Sequence, residues 1–136
     1  MQEPSSDFPW PPYYGHFRFF ESRMKSHSQV MALKALGNGL YEMTTKYGDT
    51  LRVFVCECYS FGTAEYIETT EAVGEIDVIL INSAWCGYTL EAKRLCRANK
   101  VGLFKIGDLM AALNKQGLSN HLNGSEQEIF KKNGWL

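Results

Sequence analysis

Residues 78–113 read VILINSAWCGYTLEAKRLCRANKVGLFKIGDLMAAL, and this stretch decides the fold class. The apolar run over 76–83 predicts a strand that is buried on both faces, and TLEAKRLCRANK predicts an amphipathic helix capped by Thr89. A short strand, VGLFKI, and a last helix, DLMAALNK, capped by Asp108, follow. Because strands joined by a helical crossover usually run parallel, the stretch predicts parallel strands separated by helices.

The segments before this stretch extend the pattern. A helix is predicted from about 19 to 36, ended by Gly37 and Gly39 on either side of Asn38. The segments LYEMTTKY and TLRVFVCECYSF, joined by Gly48-Asp49, predict an antiparallel hairpin, and TAEYIETTEAVG predicts a helix. The predicted order is helix, hairpin, helix, strand, helix, strand, helix, which describes an α/β domain with a central mixed sheet.

Length and composition indicate one globular domain. The chain has 136 residues, 14 basic and 15 acidic residues and a formal net charge of -1, so its overall charge does not indicate a nucleic-acid partner. We divide it into an extended arm rich in proline and aromatic residues (1–16), an α/β domain (17–115) and a polar tail (116–136) with a short helix over 125–132. No apolar run suits a membrane span and no signal segment is evident, so we expect a cytoplasmic protein without a membrane partner.

The four cysteines, Cys56, Cys58, Cys86 and Cys96, lack the paired C-x2-C spacing of a zinc site. Cys86 lies between an apolar strand and a helix, and this segment resembles the active-site turn of thioredoxins and glutaredoxins. Thr89 stands where the second cysteine of that motif would be. The resemblance therefore implies a monothiol redox protein that uses Cys86, and the alternative is a cysteine that only occupies a turn.

A longer resemblance covers about two-thirds of the chain, from about Met24 to Leu113. The order of the hairpin, the apolar strand, the T-x-E-A helix, the short strand and the Leu-rich helix is similar to the restriction-endonuclease-like fold, the PD-(D/E)XK group, in its Mrr-like branch. The resemblance implies acidic residues that hold Mg²⁺ against a DNA phosphate, together with a lysine near the attacking water. It also implies a homodimer.

The hairpin can be tested for this chemistry by counting residues. If Gly48-Asp49 is a two-residue turn, Glu42 lies opposite Val55 and shares a sheet face with Lys46 and Glu57. Glu42 and Glu57 would then be diagonal neighbours, close enough to share a divalent ion. We therefore predict Glu42 and Glu57 as metal ligands.

The other predicted site residues follow from the resemblance and from charge. Glu21 resembles an accessory acid, and Tyr59 occupies the position of the motif lysine, for which Lys46 or Lys93 would have to substitute. Four cations lie within two turns of the helix after Thr89 and predict contacts with a phosphate backbone: Lys93, Arg94, Arg97 and Lys100.

Three functions are therefore open. The first is a divergent nuclease-like protein that binds DNA and cleaves phosphodiesters with Mg²⁺. The second is a catalytically inactive module of the same fold that binds a protein partner through the N-terminal arm or through the tail ending in NGWL. The third is the monothiol redox protein.

Overall fold

The computed structural model describes residues 7–12 and 17–136. Its helices are α1 (Phe17–Lys25), α2 (Thr63–Val73), α3 (Leu90–Ala98), α4 (Ile106–Ala112) and α5 (Gly124–Lys132), with a 3-10 turn at Leu118–Asn120. Its strands are β1 (Val30–Gly37), β2 (Leu40–Thr45), β3 (Thr50–Cys56), β4 (Ser60–Phe61), β5 (Val78–Ile81), β6 (Gly87–Tyr88) and β7 (Gly102–Phe104).

Five strands form one mixed sheet in the order β1-β2-β3-β5-β7. The first three are antiparallel neighbours, whereas β5 runs parallel to both β3 and β7. The short strands β4 and β6 form a separate parallel pair. The predicted α/β class with a central mixed sheet is therefore confirmed, as are the helical crossovers of the C-terminal half.

The predicted helix over 19–36 is wrong in its second half. The helix ends at Lys25, and β1 begins at Val30. β1 returns into β2 through a two-residue turn in which Asn38 has φ 54° and Gly39 has φ 86°. A turn with two positive φ angles matches the right-handed twist of a hairpin, so Asn38-Gly39 joins two strands and does not end a helix.

The hairpin of β2 and β3 is confirmed, but its predicted register is wrong. Thr44 pairs with Thr50, and Glu42 pairs with Arg52 and not with Val55. The connection is longer than two residues, because β2 ends at Thr45 and β3 begins at Thr50. Within it, the N–H of Gly48 donates to the carbonyl of Thr45 at 3.0 Å. The register therefore differs by three residues from the one that a two-residue turn implies.

The crossover helices begin close to the predicted positions. Thr89 caps α3, where its side chain accepts a hydrogen bond from the N–H of Ala92. The last helix of the domain begins earlier than predicted, with Lys105 and not Asp108 at its cap position. Asp108 lies in its first turn and accepts a hydrogen bond from the side chain of Asn123 at 2.9 Å.

The sheet has an apolar core on each face. One core includes Phe54, Ile79 and Leu103 of the sheet with side chains of α2 and α3, and the other includes Val53, Val55 and side chains of α1 and α4. The described arm residues join the first core: Trp10 is 3% exposed, and Phe8 stacks on Phe54 with ring centroids 5.6 Å apart. β3 is thus buried from both sides.

Gly39 provides a test of the β1–β2 turn. An alanine Cβ at this position would lie 2.6 Å from the carbonyl oxygen of Val55 and would also adopt a positive φ. The matched control is Gly37, whose φ is also positive but whose Cβ would meet nothing within 4 Å. We expect Gly37→Ala to lower the free energy of unfolding by about 1–2 kcal/mol and Gly39→Ala by roughly 1–3 kcal/mol more. Urea denaturation measures both, and equal losses would contradict the turn geometry.

Candidate functional site

The two predicted metal ligands do not meet. Glu42 is exposed in β2 and lies opposite Arg52 of β3. Arg52 precedes Glu57 by five residues, which corresponds to roughly 17 Å along a strand at about 3.4 Å per residue. Ligands of one Mg²⁺ must each lie about 2.1 Å from the ion. The predicted arrangement of two carboxylates around one shared ion is therefore wrong. Within 7–12 and 17–136, no group of three or more His, Cys, Asp or Glu side chains is arranged to hold a metal ion.

Glu42 lies in a row of charges that crosses three strands. It pairs with Lys34 of β1 on one side and with Arg52 of β3 on the other. Directly opposed residues in antiparallel strands have their Cβ atoms about 5 Å apart. The Arg52 guanidinium is bonded to the carbonyls of Val73 and Glu75, and so it is directed away from Glu42. The cross-strand neighbours of Glu42 are therefore basic residues and not a second acid.

Glu57 directly follows β3 and is 1% exposed. Its N–H donates to the carbonyl of Trp10 at 2.8 Å, which ties the arm to the end of the strand. Burial raises the pKa of the flanking Cys58 thiol to about 11. Glu57 thus lies in a closed, thiol-lined environment beneath the arm.

The remaining residues of the predicted nuclease site are dispersed. Glu21 lies on α1 and accepts a hydrogen bond from the hydroxyl of Tyr41 at 2.6 Å. Tyr41 and Glu42 are adjacent in β2 and point to opposite faces, so Glu21 and Glu42 do not share a face. Lys46 is exposed in the turn after β2, and Tyr59 is 72% exposed beyond β3.

The predicted phosphate-binding face of α3 differs in the structure, because the C-terminal segment covers part of it. Lys93 is 1% exposed, so its prediction as a surface contact is wrong. The guanidinium of Arg94 lies 4.7 Å from the ring centroid of Trp135, and that of Arg97 lies 5.9 Å from the ring centroid of Phe130. Lys100 is exposed, just beyond the end of α3.

Lys93 is part of a buried polar network. Its ammonium donates to the carbonyl of Leu103 at 2.6 Å and lies 3.8 Å from Oε1 of Glu126, whose Oε2 accepts a hydrogen bond from the Tyr88 hydroxyl at 2.6 Å. The ammonium also lies 4.1 Å from the ring centroid of Phe104. Burial lowers the pKa of Lys93, and the carboxylate of Glu126 opposes that effect. The network docks α5 on α3 and β7.

The environment of Cys86 does not favour a thiolate. Cys86 is 3% exposed and lies three residues before the Thr89 cap, so it is not at the first turn of α3. Burial raises the pKa of its thiol, and Glu57 raises it further. A reactive cysteine needs a lowered pKa and access to solvent, and Cys86 has neither.

The carboxyl ends of the parallel strands, where α/β sheets commonly bind ligands, include residues that the sequence analysis did not select. The ammonium of Lys105, after β7, donates to the carbonyls of Ser83 at 2.8 Å and Cys86 at 2.5 Å. Ser83 has φ 93°, a conformation that is uncommon for serine. Lys105 thus holds the loop after β5, from which Trp85 projects with 76% of its surface exposed.

The side of β1 that faces away from β2 was missed by the sequence analysis, and no other strand of the described residues pairs with it. We call this side, over Val30–Gly37, the β1 edge. Seven of these eight residues are apolar or glycine, and six of the eight are exposed, including Met31 at 66% and Leu36 at 44%. The opposite sheet edge, β7, is three residues long and fully buried. The sequence signal was the Asn38-Gly39 turn, which predicts a strand before it.

The region around the β1 edge is positively charged. Residues 17–46 hold five basic side chains, Arg18, Arg23, Lys25, Lys34 and Lys46, and two acidic ones, Glu21 and Glu42. Their sum is +3, so the rest of the chain, whose total is -1, sums to -4. An open groove of about 430 Å³ runs along α1 and is lined by two of these cations, Arg18 and Lys25, and by Glu21, Ser22 and Ser26.

Comparison of the chain with protein-family models, curated proteins and solved structures found no match. Among the described helices, none combines the length and the apolar character needed to cross a bilayer.

The buried network predicts unequal roles for two acids of α5. Glu126→Gln removes the charge beside Lys93, whereas Glu128, on the same helix, is exposed. We expect Glu126→Gln to lower the free energy of unfolding by about 2 kcal/mol, in the range of a hydrogen bond to a charged group, and Glu128→Gln to change it by less than about 0.5 kcal/mol. Guanidinium denaturation checks this, and two similar losses would contradict the network.

The buried position of Cys86 predicts that its thiol is alkylated slowly. With its thiol buried and its pKa raised, we expect iodoacetamide at neutral pH to modify Cys86 far more slowly in the folded chain than in urea. Mass spectrometry of peptides from timed samples measures the rate. If Cys86 in the folded chain is modified at the same rate as in urea, the result would support the hypothesis of a redox-active Cys86.

Proposed function

We propose that this protein is a non-catalytic interaction module built on a restriction-endonuclease-like arrangement of elements. The order of α1, the β2–β3 hairpin, α2, β5, α3, β7 and α4 is the order that the resemblance implies, with β1 as an additional strand. The resemblance thus supports the choice of fold within the α/β class. Function must be argued from the site, because one fold serves many functions.

The observation that favours lost catalysis is the register of β2 against β3. It sets Glu42 between Lys34 and Arg52 and far along the sheet from Glu57. A carboxylate whose cross-strand neighbours are basic residues and not a second acid is a poor metal ligand. The described arm residues also favour lost catalysis, because they cover one face of the sheet near Glu57. Phe8 packs against Phe54, and Trp10 packs against Phe61.

The N-terminal arm and the tail are the binding surfaces named in the sequence analysis, and residues 1–6 and 13–16 of the arm lie outside the described residues. Trp10 of the arm is 3% exposed, and Trp135 of the tail packs against Arg94 and Phe130. These aromatic side chains are therefore occupied within the chain. Among the described surfaces we choose the β1 edge, because a long, exposed and mainly apolar strand at a sheet edge offers its backbone to another strand.

This proposal predicts no metal-dependent chemistry. We expect the protein to leave supercoiled and linear DNA intact with Mg²⁺ or Mn²⁺, and to leave the electron paramagnetic resonance signal of free Mn²⁺ unchanged. Glu57→Gln and the exposed Glu42→Gln should match the parent chain in both assays. DNA cleavage that Glu57→Gln abolishes, in a variant whose circular dichroism is native, would overturn the proposal in favour of a nuclease.

A further inference from the structure

We infer that the β1 edge binds an extended acidic peptide, which adds to the sheet as a sixth strand. This inference rests on the proposed function and specifies its partner. It draws on three independent properties of the edge: its backbone groups with which no described strand pairs, the distribution of its side chains over the two faces, and the charge of its surroundings.

The backbone of β1 can accept another strand. Within the described part of the chain, β1 pairs only with β2, so alternate N–H and C=O groups over the regular stretch Ala32–Ala35 point away from the sheet. The register shifts on either side of this stretch, between Val30 and Ala32 and between Ala35 and Gly37. The strand contains no proline, and Lys34 is its only charged residue. Strand addition uses such groups for affinity and alternate side chains for specificity.

The two faces of β1 require different partner side chains. Ala32 and Lys34 pair with Thr44 and Glu42 and share their face. Leu33 and Ala35 pair with Met43 and Tyr41 on the other face, where Leu33 packs against the core with α1. A strand that alternates acidic and apolar residues would therefore set a carboxylate beside Lys34 and an apolar side chain beside Leu33.

The surrounding charge favours an acidic partner. Residues 17–46 sum to +3, and Arg18, Arg23 and Lys25 of the neighbouring helix α1 are exposed. An added carboxylate opposite Lys34 would repeat the pairing that Glu42 already makes on the other side of this lysine. Opposite charges also speed the encounter of two partners at low ionic strength.

A second copy of the chain fits the edge less well than an acidic strand. β1 has no acidic residue, so a second copy of β1 would bring no carboxylate to Lys34 in any register, and antiparallel pairing about Lys34 itself would set the two lysines opposite each other. Like charges that face each other across strands are destabilising, and an edge lysine is a common device against self-pairing. An acidic strand turns the same lysine into a favourable contact.

The test is fluorescence anisotropy with a labelled nine-residue peptide of alternating valine and glutamate at low salt. A peptide of alternating valine and serine is the matched ligand control. Lys34→Glu and Lys34→Gln test the contact, and Lys131→Glu, at an exposed position on α5, applies the same charge reversal far from β1. Circular dichroism verifies that each variant is folded.

We expect saturable binding of the acidic peptide, weaker binding of the serine peptide, and a dissociation constant for Lys34→Glu that is about tenfold larger, a typical result of replacing an attractive cross-strand contact with a repulsive one. Lys34→Gln should lie between, and Lys131→Glu should match the parent chain. Hydrogen exchange should show new protection over 30–37 when the acidic peptide is bound.

Several results would overturn the inference. Absence of binding, binding that Lys34→Glu leaves unchanged, or protection at another segment would each exclude an acidic strand at the β1 edge. A dimer in analytical ultracentrifugation that protects 30–37 without peptide would assign the edge to a second copy. None of these results restores catalysis, because only metal-dependent DNA cleavage contradicts the non-catalytic function.

Discussion

The position of β3 is the constraint on which the rest of the structure depends. Arg52, near its start, donates its backbone N–H to Oδ2 of Asp77 at 2.8 Å, and its guanidinium donates to the carbonyls of Val73 and Glu75 at 3.0 and 2.6 Å. These bonds fix β3 against the turn between α2 and β5. At the other end of β3, the N–H of Asn82 donates to the carbonyl of Cys56. β3 is thus held at both ends and buried on both faces, and β2 pairs along it with Glu42 opposite Arg52.

That register decides the chemistry of the hairpin. A three-residue change moves Glu42 from the neighbourhood of Val55 to that of Arg52 and reverses the face it shares with β3, because strand side chains alternate. The turn residues Gly48-Asp49 are compatible with more than one loop length. Local sequence could therefore predict the hairpin but not its register, which depends on long-range contacts of Arg52. The register in turn decides whether the carboxylates of Glu42 and Glu57 can meet.

On α3, too, the local pattern could be predicted from the sequence, whereas the burial of a charged residue could not. Its amphipathic pattern and its cap at Thr89 are local properties, and both were predicted. The burial of Lys93 was not, because it depends on Glu126, 33 positions later, and on the packing of Phe130 and Trp135. An ammonium group can be buried here because a carbonyl, a carboxylate and an aromatic ring replace its water.

The sequence by itself determined the α/β class, the hairpin, the parallel crossovers and the approximate bounds of α2, α3 and α5, since these depend on periodicity, caps and turns within a few residues. Only the tertiary structure decided that Val30–Gly37 is an exposed strand, that Glu42 faces Arg52 and that Lys93 is buried. The segment 30–36 is rich in alanine and leucine, which favour helix when they stand alone. Pairing with β2 overrides that preference, because backbone hydrogen bonds and cross-strand packing over eight residues outweigh small local propensities.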